Sequence, residues 1–244
     1  MAFSFLRKRS SRVQKVTKTD NDLTKYLTTS LQPDSSGSEA YRSLRTNLLY
    51  SFADDPPKSI LLTSPGPGEG KSVTCANLGV VLAQADKRTL IVDCDFRRPT
   101  IHKLFGLKNT WGIADVLLGG RKLQEGWMEP TPRLKVLSGG YIPPNPAELL
   151  NSRHFSEFLA SVRDEFDYVL LDSAALAVVT DAAIVAVRAD GVLFVVDAQK
   201  THKRAVQRSI RSLEAVGANV LGVIMNRVRA TEQDFLHYDH IYTR

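Results

Sequence analysis

Long apolar runs are missing from this sequence. No stretch approaches the roughly 20 consecutive apolar residues that a membrane-crossing helix needs, so no spanning segment is expected. Cysteine is scarce too. Cys75 and Cys94 stand alone, without a CxxC pair, which argues against a disulfide framework or a thiolate metal cluster and predicts two buried small side chains. The five histidines show no metal-ligand spacing except His237 and His240, which fit an exposed tail as well as a ligand pair. The opening MAFSFLRKRSSR places a short apolar stretch before its basic residues, the reverse of a secretory signal; the expected location is cytoplasmic. Acidic side chains are absent from the first nineteen positions. Arg7, Lys8, Arg9, Arg12, Lys15 and Lys18 all precede Asp20 and equal the whole net charge of +6. The remainder is balanced, which argues against a nucleic-acid-binding face, and no nucleic-acid partner is expected. The basic stretch reads either as a solvated tail or as an arm attracted to anionic lipid or an acidic partner, at roughly 1 kcal/mol per basic residue near a charged membrane.

What is present suits a globular α/β protein. The 244 residues, 43% hydrophobic and 24% charged, suffice for one well-buried domain or at most two small ones. Residues 1–37 are polar, basic and Ser/Thr-rich and predict a flexible arm. Ser38 reads as an N-cap to a helix that starts at Glu39 and carries Tyr41, Leu44 and Leu48 on one face. KSILLTS (58–64), TLIVDCD (89–95), LKVLSGG (134–140), DYVLLD (167–172), GVLFVVDA (191–198) and NVLGVIMN (219–226) read as strands. Helical patterns lie between them, at 72–85, in broken form from Pro99 to Gly120, through Glu165, and near 179–188 and 202–216. Strands alternating with helices of about 10–15 residues predict a parallel sheet covered by helices on both faces. No linker or repeat divides the chain after residue 38, so 38–229 is expected to be one domain and 230–244 a tail.

Strand KSILLTS runs into Pro65-Gly66-Pro67-Gly68-Glu69-Gly70-Lys71-Ser72. Glycines let backbone N–H groups close around phosphate oxygens, and the following helix turns its positive end toward the same anion. Lys71 is placed to neutralise β/γ-phosphates and Ser72 to offer a hydroxyl to Mg²⁺. The strict pattern GxxxxGK[ST] would put glycine at 65, where this chain has Pro65. Strand, GxGxGKS and helix in that order still predict a nucleotide site. Phosphoryl transfer also requires carboxylates, and strand ends supply Asp93, Asp95 and Asp172. In a parallel α/β sheet these fall beside the loop, at the carboxyl edge where ligands bind. Arg97 and Arg98 read equally as phosphate contacts or as structural ion-pair partners.

These segments resemble the bacterial tyrosine kinases of capsular and exopolysaccharide biosynthesis, the BY-kinases, over nearly everything from Glu39 to Arg229. TSPGPGEGKSV is similar to that family's Walker A segment, VDCDFRRPTIHKLFGL to Walker A′, and FDYVLLDSAALAVVTDA to Walker B. EAYRSLRTNL, with Glu39, Arg42 and Arg45, and GGYIPPNPAELLNS are particular to the family. The resemblance implies a P-loop NTPase fold binding ATP and Mg²⁺, with Gly68, Gly70, Lys71 and Ser72 on the phosphates and metal. Gly66, Glu69 and Val73 complete the loop's nucleotide contacts. Asn226 falls where related ATPases touch adenine, a strand-end turn being its other reading. Asp93 is expected as general base for the acceptor hydroxyl and Asp95 and Asp172 as metal ligands, the first two roles being interchangeable. Glu39, Arg42 and Arg45 are implied to join subunits into a ring in which one protomer's tail reaches the next protomer's ATP. Read from residues alone, the same three form a solvated stripe with an ion pair worth about a few tenths of a kcal/mol.

The implied acceptors are tail tyrosines, here Tyr238 and Tyr242. A tyrosine hydroxyl, with its pKa near 10, needs a positioned base; packed aromatics are the alternative reading of the pair. The implied partners are a membrane-embedded activator acting through its cytoplasmic tail, further copies of the chain, and a cognate tyrosine phosphatase, with recruitment to the inner face of the membrane. Two departures stand out. The family usually follows the Walker B aspartate with Ser/Thr-Pro-Pro, and Ser173-Ala174-Ala175 here predicts a looser loop; the tyrosine cluster is also sparse. The competing readings are a MinD/ParA-like ATPase switch and a weakly active ATP-binding scaffold. The switch family carries a signature lysine where this chain has Gly66.

Overall fold

Alternation of apolar side chains along short strands decides the architecture, because successive residues of a strand face opposite sides of the sheet. The computed structural model describes residues 22–52, 56–120 and 123–229. In chain order, a 3₁₀ turn at Leu23–Tyr26 precedes α1 (Thr28–Leu31), α2 (Ser36–Ser51), β1 (Ser59–Thr63), α3 (Lys71–Gln84) and β2 (Thr89–Asp93). Next come α4 (Ile101–Leu104), α5 (Ile113–Leu117), β3 (Met128–Thr131), β4 (Leu134–Leu137), α6 (Pro146–Leu150) and α7 (Arg153–Glu165). The remainder is β5 (Tyr168–Asp172), α8 (Asp181–Ala186), β6 (Gly191–Asp197), α9 (Lys203–Ala215) and β7 (Val220–Asn226). The strands form one sheet in the order β3-β4-β2-β5-β1-β6-β7, parallel throughout except for the antiparallel β3–β4 pair.

Two apolar layers sandwich this sheet. Ile60, Leu62, Ile91, Leu170, Leu193 and Val195 pack with Cys75, Leu78 and Leu82 of α3. Leu61, Leu90, Val92, Val169, Leu171 and Phe194 meet Phe155, Phe158 and Leu159 of α7 and Leu213 of α9. Burying each such side chain contributes roughly 1.5–3 kcal/mol, and both faces are needed to cover central strands that are apolar throughout. Cys75 and Cys94 are buried free thiols, as their apolar surroundings predict. Helix α3 is enclosed almost all round, since α1 and α2 cover the side it turns away from the sheet.

Structure begins earlier than the sequence predicts. Residues 22–37, expected within the flexible arm, are folded. The N-cap of α2 is Ser35 rather than Ser38: the Ser35 Oγ accepts from Ser38 N, and the buried Ser38 hydroxyl donates to Gln32 O at 2.6 Å. The polar segment before it is fastened by Asn77, fully buried in α3. Asn77 Nδ2 donates to Tyr26 O and Val73 O at 2.8 and 2.9 Å, and its Oδ1 accepts from Thr29 N and Thr29 Oγ1. All four bonding positions of the amide are thereby used. The basic cluster from Arg7 to Lys18 lies outside the described residues.

Strand β3 was not anticipated; it pairs across a turn in which Arg133 adopts φ 67°. The loop after Asp172 also departs from expectation. Ala174 and Ala175 are buried, Thr63 Oγ1 donates to Ala174 O at 2.9 Å, and Leu176 N and Ala177 N donate to Ser64 O and Pro65 O. Continuation of the β1–β5 pairing holds this segment without prolines. At the far margin, β7 leaves Val223 and Met225 exposed.

Replacing Asn77 by leucine, which keeps the volume and deletes the bonds, should cost roughly 1–3 kcal/mol in urea unfolding. Amide exchange at Thr29 should accelerate with it; unchanged exchange there would show that Asn77 does not fasten the segment.

Candidate active site

The sheet order brings the carboxyl ends of β1, β2 and β5 together. β5 lies between β1 and β2, with Leu62 opposite Asp172 and Asp172 opposite Asp93. The chain leaving β1 wraps into the Pro65–Gly70 loop and enters α3 at Lys71. Gly70 is the N-cap, with φ 96°, and a Cβ there would lie 2.1 Å from Asn226 Nδ2. Only glycine meets both constraints. Gly68, with φ 79°, has open space where its Cβ would be, so this part of the loop faces a free volume.

Lys71 and the acids converge beyond the loop. Lys71 Nζ donates to Asp95 Oδ2 at 3.1 Å, lies 3.2 Å from Ser72 Oγ, and stands 3.5 Å from Asp172 Oδ1. Burial works against the lysine's charge, yet Asp172 and Asp95 outweigh it and raise its pKa. Asp172 is fully buried, and neither carboxylate oxygen completes a hydrogen bond. Desolvation raises its pKa against the pull of Lys71 and the Ser72 hydroxyl. Asp93 is enclosed as well. Its Oδ2 accepts from Thr100 N and Ile101 N at 2.8 and 3.0 Å, its Oδ1 accepts from Asp95 N, and burial followed by the Asp172 charge pushes its pKa up to about 8. The expectation that Asp93 meets an acceptor hydroxyl therefore encounters a carboxylate whose oxygens already hold the turn into α4. Asp95 retains 7% exposure and accepts from Arg98 N through Oδ1.

The other anticipated residues fall into distinct groups. Glu69 turns inward: its Oε1 accepts from Gly66 N, and its Oε2 accepts from Asp197 N and Thr201 Oγ1. Its side chain braces the loop, leaving only its backbone to face a phosphate. Val73, in the first turn of α3, packs against the core, so any nucleotide contact from it is likewise through the backbone. Asn226 uses both ends of its amide locally, Nδ2 donating to Glu69 O at 2.8 Å and Oδ1 accepting from Arg227 N. Arg97 pairs with the buried Asp181 at 2.9 Å, which realises its structural reading. Glu39 and Arg42 pair with each other at 2.6 Å and are about one-third exposed, while Arg45 Nη1 donates to Val81 O. Tyr238 and Tyr242 lie outside the described residues. Asp197, Thr201 and Arg227 escaped the sequence reading, although Asp197 closes an apolar strand as Asp93 and Asp172 do.

These residues fit a Mg²⁺–nucleotide. Two orphaned carboxylate oxygens beside a hydroxyl and an ammonium are what a hard cation and its phosphates would satisfy. Among the described residues no group of three or more His, Cys, Asp or Glu side chains forms a ready-made metal cage, and Mg²⁺ characteristically takes only one or two carboxylates, with phosphate and water completing its shell.

The family described as CobQ/CobB/MinD/ParA nucleotide binding domain matches residues 60–244. The tyrosine-protein kinase YwqD of Bacillus subtilis (strain 168) is 40% identical over 196 residues, 80% of this chain and 83% of the relative. The chain belongs to this nucleotide-binding family, in its bacterial tyrosine-protein kinase branch. The crystal structure of the chimerical protein CapA2B2 is 37% identical, with a TM-score of 0.81 over 84% of this chain and 91% of that one. MinD from Pyrococcus horikoshii, complexed with Mg-ADP, shares the fold at 23% identity and a TM-score of 0.61, over 72% and 73% of the two chains.

The buried acids set a pH dependence. Asp93 has a folded pKa raised above its unfolded value, so its contribution is full below about pH 4 and is lost as pH rises through about 8; the raised pKa of Asp172 acts in the same direction. In chelator, the nucleotide-free protein should lose stability between pH 5 and 8, by up to about 1.4 kcal/mol per unit from each titrating group. Asp93→Asn should flatten the slope in denaturant titrations, and an unaltered slope would remove Asp93 as its source.

Proposed function

We propose that the chain is an ATP-dependent protein-tyrosine kinase that regulates capsular or exopolysaccharide production by phosphorylating tyrosines in the C-terminal segment of a neighbouring copy. The observation that carries this reading is the Lys71 ammonium held between Asp95 and Asp172 at the mouth of the phosphate loop. Loop amides and Lys71 hold the β- and γ-phosphates of ATP, and Ser72, Asp95 and Asp172 hold Mg²⁺. The metal supplies charge neutralisation across the phosphates and little else is required, since positioning and electrostatics dominate phosphoryl transfer. Lys71, between the acids, stabilises charge on the transferring group.

Asp93 serves as the base for the tyrosine hydroxyl. A pKa near 8 suits a base working near neutral pH. For this to happen the Thr100 and Ile101 amides must release Oδ2 as the acceptor enters. The acceptors are Tyr238 and Tyr242. Glu39 and Arg42, about one-third exposed, contribute the contact that brings a second copy's tail to this site, with Arg45 fixing α2 on α3. A membrane-embedded activator engages the chain through its cytoplasmic tail and recruits it to the inner membrane face, and a tyrosine phosphatase resets the tail.

Incubation with Mg-ATP and the activator's cytoplasmic tail, followed by mass spectrometry, should place phosphate on Tyr238 or Tyr242. Lys71→Met should abolish it. ATP hydrolysis without phosphotyrosine would replace this reading with the MinD/ParA-like switch. Glu39→Ala with Arg42→Ala should lower the assembly state in light scattering and reduce tail labelling together; loss of labelling with assembly intact would exclude the stripe as the subunit contact.

A further inference from the structure

Residues from two neighbouring strand ends, those of β6 and β7, converge on the back of the phosphate loop. Arg227, the first residue beyond β7, donates from Nη1 to Gly68 O at 3.1 Å and to Asp197 Oδ2. Asp197 closes β6 and is 2% exposed. Its carboxylate also accepts from Gln199 N, and its own N–H donates to Glu69 Oε2. Asn226 donates to Glu69 O. Arg227 itself stands at φ 57°, a left-handed conformation that a residue with a Cβ adopts only when its surroundings hold it there. Here Asn226 Oδ1 takes its N–H and Gln199 Nε2 donates to its carbonyl at 2.7 Å.

The geometry of the peptide unit gives this arrangement a purpose. In a trans peptide the carbonyl and the following N–H point in opposite directions. Anchoring Gly68 O to Arg227 therefore turns Glu69 N–H away from β7, and anchoring Glu69 O to Asn226 does the same for Gly70 N–H. These are amides that a phosphate loop offers to its anion. Glycine at 68 and 70 leaves the loop free to rotate both peptides, so something outside it must fix them. Glu69 cannot do so alone, because its carboxylate braces Gly66 and β6.

We propose that Arg227 is a positioning residue for ATP: paired with the buried Asp197, it locks the Gly68–Glu69 peptide so that the loop amides are aimed before the nucleotide arrives. The inference rests on the nucleotide-binding reading above. It also ties the phosphate loop to the residue from which the chain continues into the 230–244 segment.

Calorimetry with Mg-ADP on the full chain, beside melting of the nucleotide-free protein, tests this. Arg227→Ala should weaken Mg-ADP binding about tenfold or more, the scale for losing a charged hydrogen bond; it also strips the buried Asp197 of its cation and lowers nucleotide-free melting, a loss that adding Asp197→Asn should largely restore without restoring the affinity. In the kinase assay KM for ATP should rise with kcat nearly unchanged. Arg227→Lys keeps a cation beside Asp197 without the rigid planar head that aims Nη1 at both acceptors, and should recover part of the affinity. Equal Mg-ADP affinity in wild type and Arg227→Ala would overturn the proposal. So would recovery of Mg-ADP affinity together with melting when Asp197→Asn is added to Arg227→Ala, since that marks a general structural role. Wild type failing to bind Mg-ADP would overturn the nucleotide reading itself, and with it this one.

Discussion

Three carboxylates and one ammonium share a space almost closed to water, and the rest of the site follows from that imbalance. Lys71 lies within ion-pair distance of Asp95 and Asp172, yet one cation cannot compensate three acids. A buried charge without a partner is costly, and the chain meets the excess in two ways. Asp93 is held by backbone amides and burial raises its proton affinity; Asp172 faces Lys71 at 3.5 Å but completes no hydrogen bond through either oxygen. Such a site is incomplete by construction. A divalent cation supplies the missing positive charge, and a triphosphate supplies the anion that the loop and helix end are shaped to accept. Binding N but not the unfolded chain, that pair would stabilise the fold as it completes the site.

The sheet order makes this concentration of charge possible. Because β5 separates β1 from β2, the loop after β1 and the two strand-end acids of β2 and β5 meet along one edge. The same edge receives β6 and β7, whose final residues Asp197 and Asn226, with Arg227 just beyond β7, grip the loop from behind. Chemistry and support thus come from opposite sides of β1, one from the β5–β2 flank and the other from the β6–β7 flank. Strands buried on both faces provide the stiffness that both tasks need.

Most of the sheet and the phosphate loop were legible in the sequence because they are written locally. Apolar runs gave β1, β2, β4, β5, β6 and β7, those of β2, β5 and β6 ending in aspartate, and GPGEGKS gave the loop. What escaped notice was written at a distance or against local preference. The segment at residues 22–31 is polar and looks unstructured, and what fastens it lies some fifty residues later, in Asn77 and the core that receives Leu27. Ser35 and Ser38 offer the same capping chemistry three positions apart; which of them caps α2 depends on Ser38 being drawn inward to Gln32 O. β3 contains a proline and spans four residues, too short for alternation to register. Arg227 reads as a charge after a strand, and its role emerges only when β6, β7 and the loop are brought side by side. The loop after Asp172 is ordered by pairing to the end of β1 rather than by proline, a contact that its own residues do not announce.

The two margins of the sheet are unequal. At one side Pro130 in β3 removes an amide donor, and a strand this brief gives an intruding chain little to zip onto. At the other, β7 runs seven residues with Val223 and Met225 open to solvent, and among the described residues no further strand lies beyond it. Cross-strand annealing of partly unfolded copies would accordingly start at β7. Handling this protein at high concentration then becomes a question of keeping that one selvedge covered.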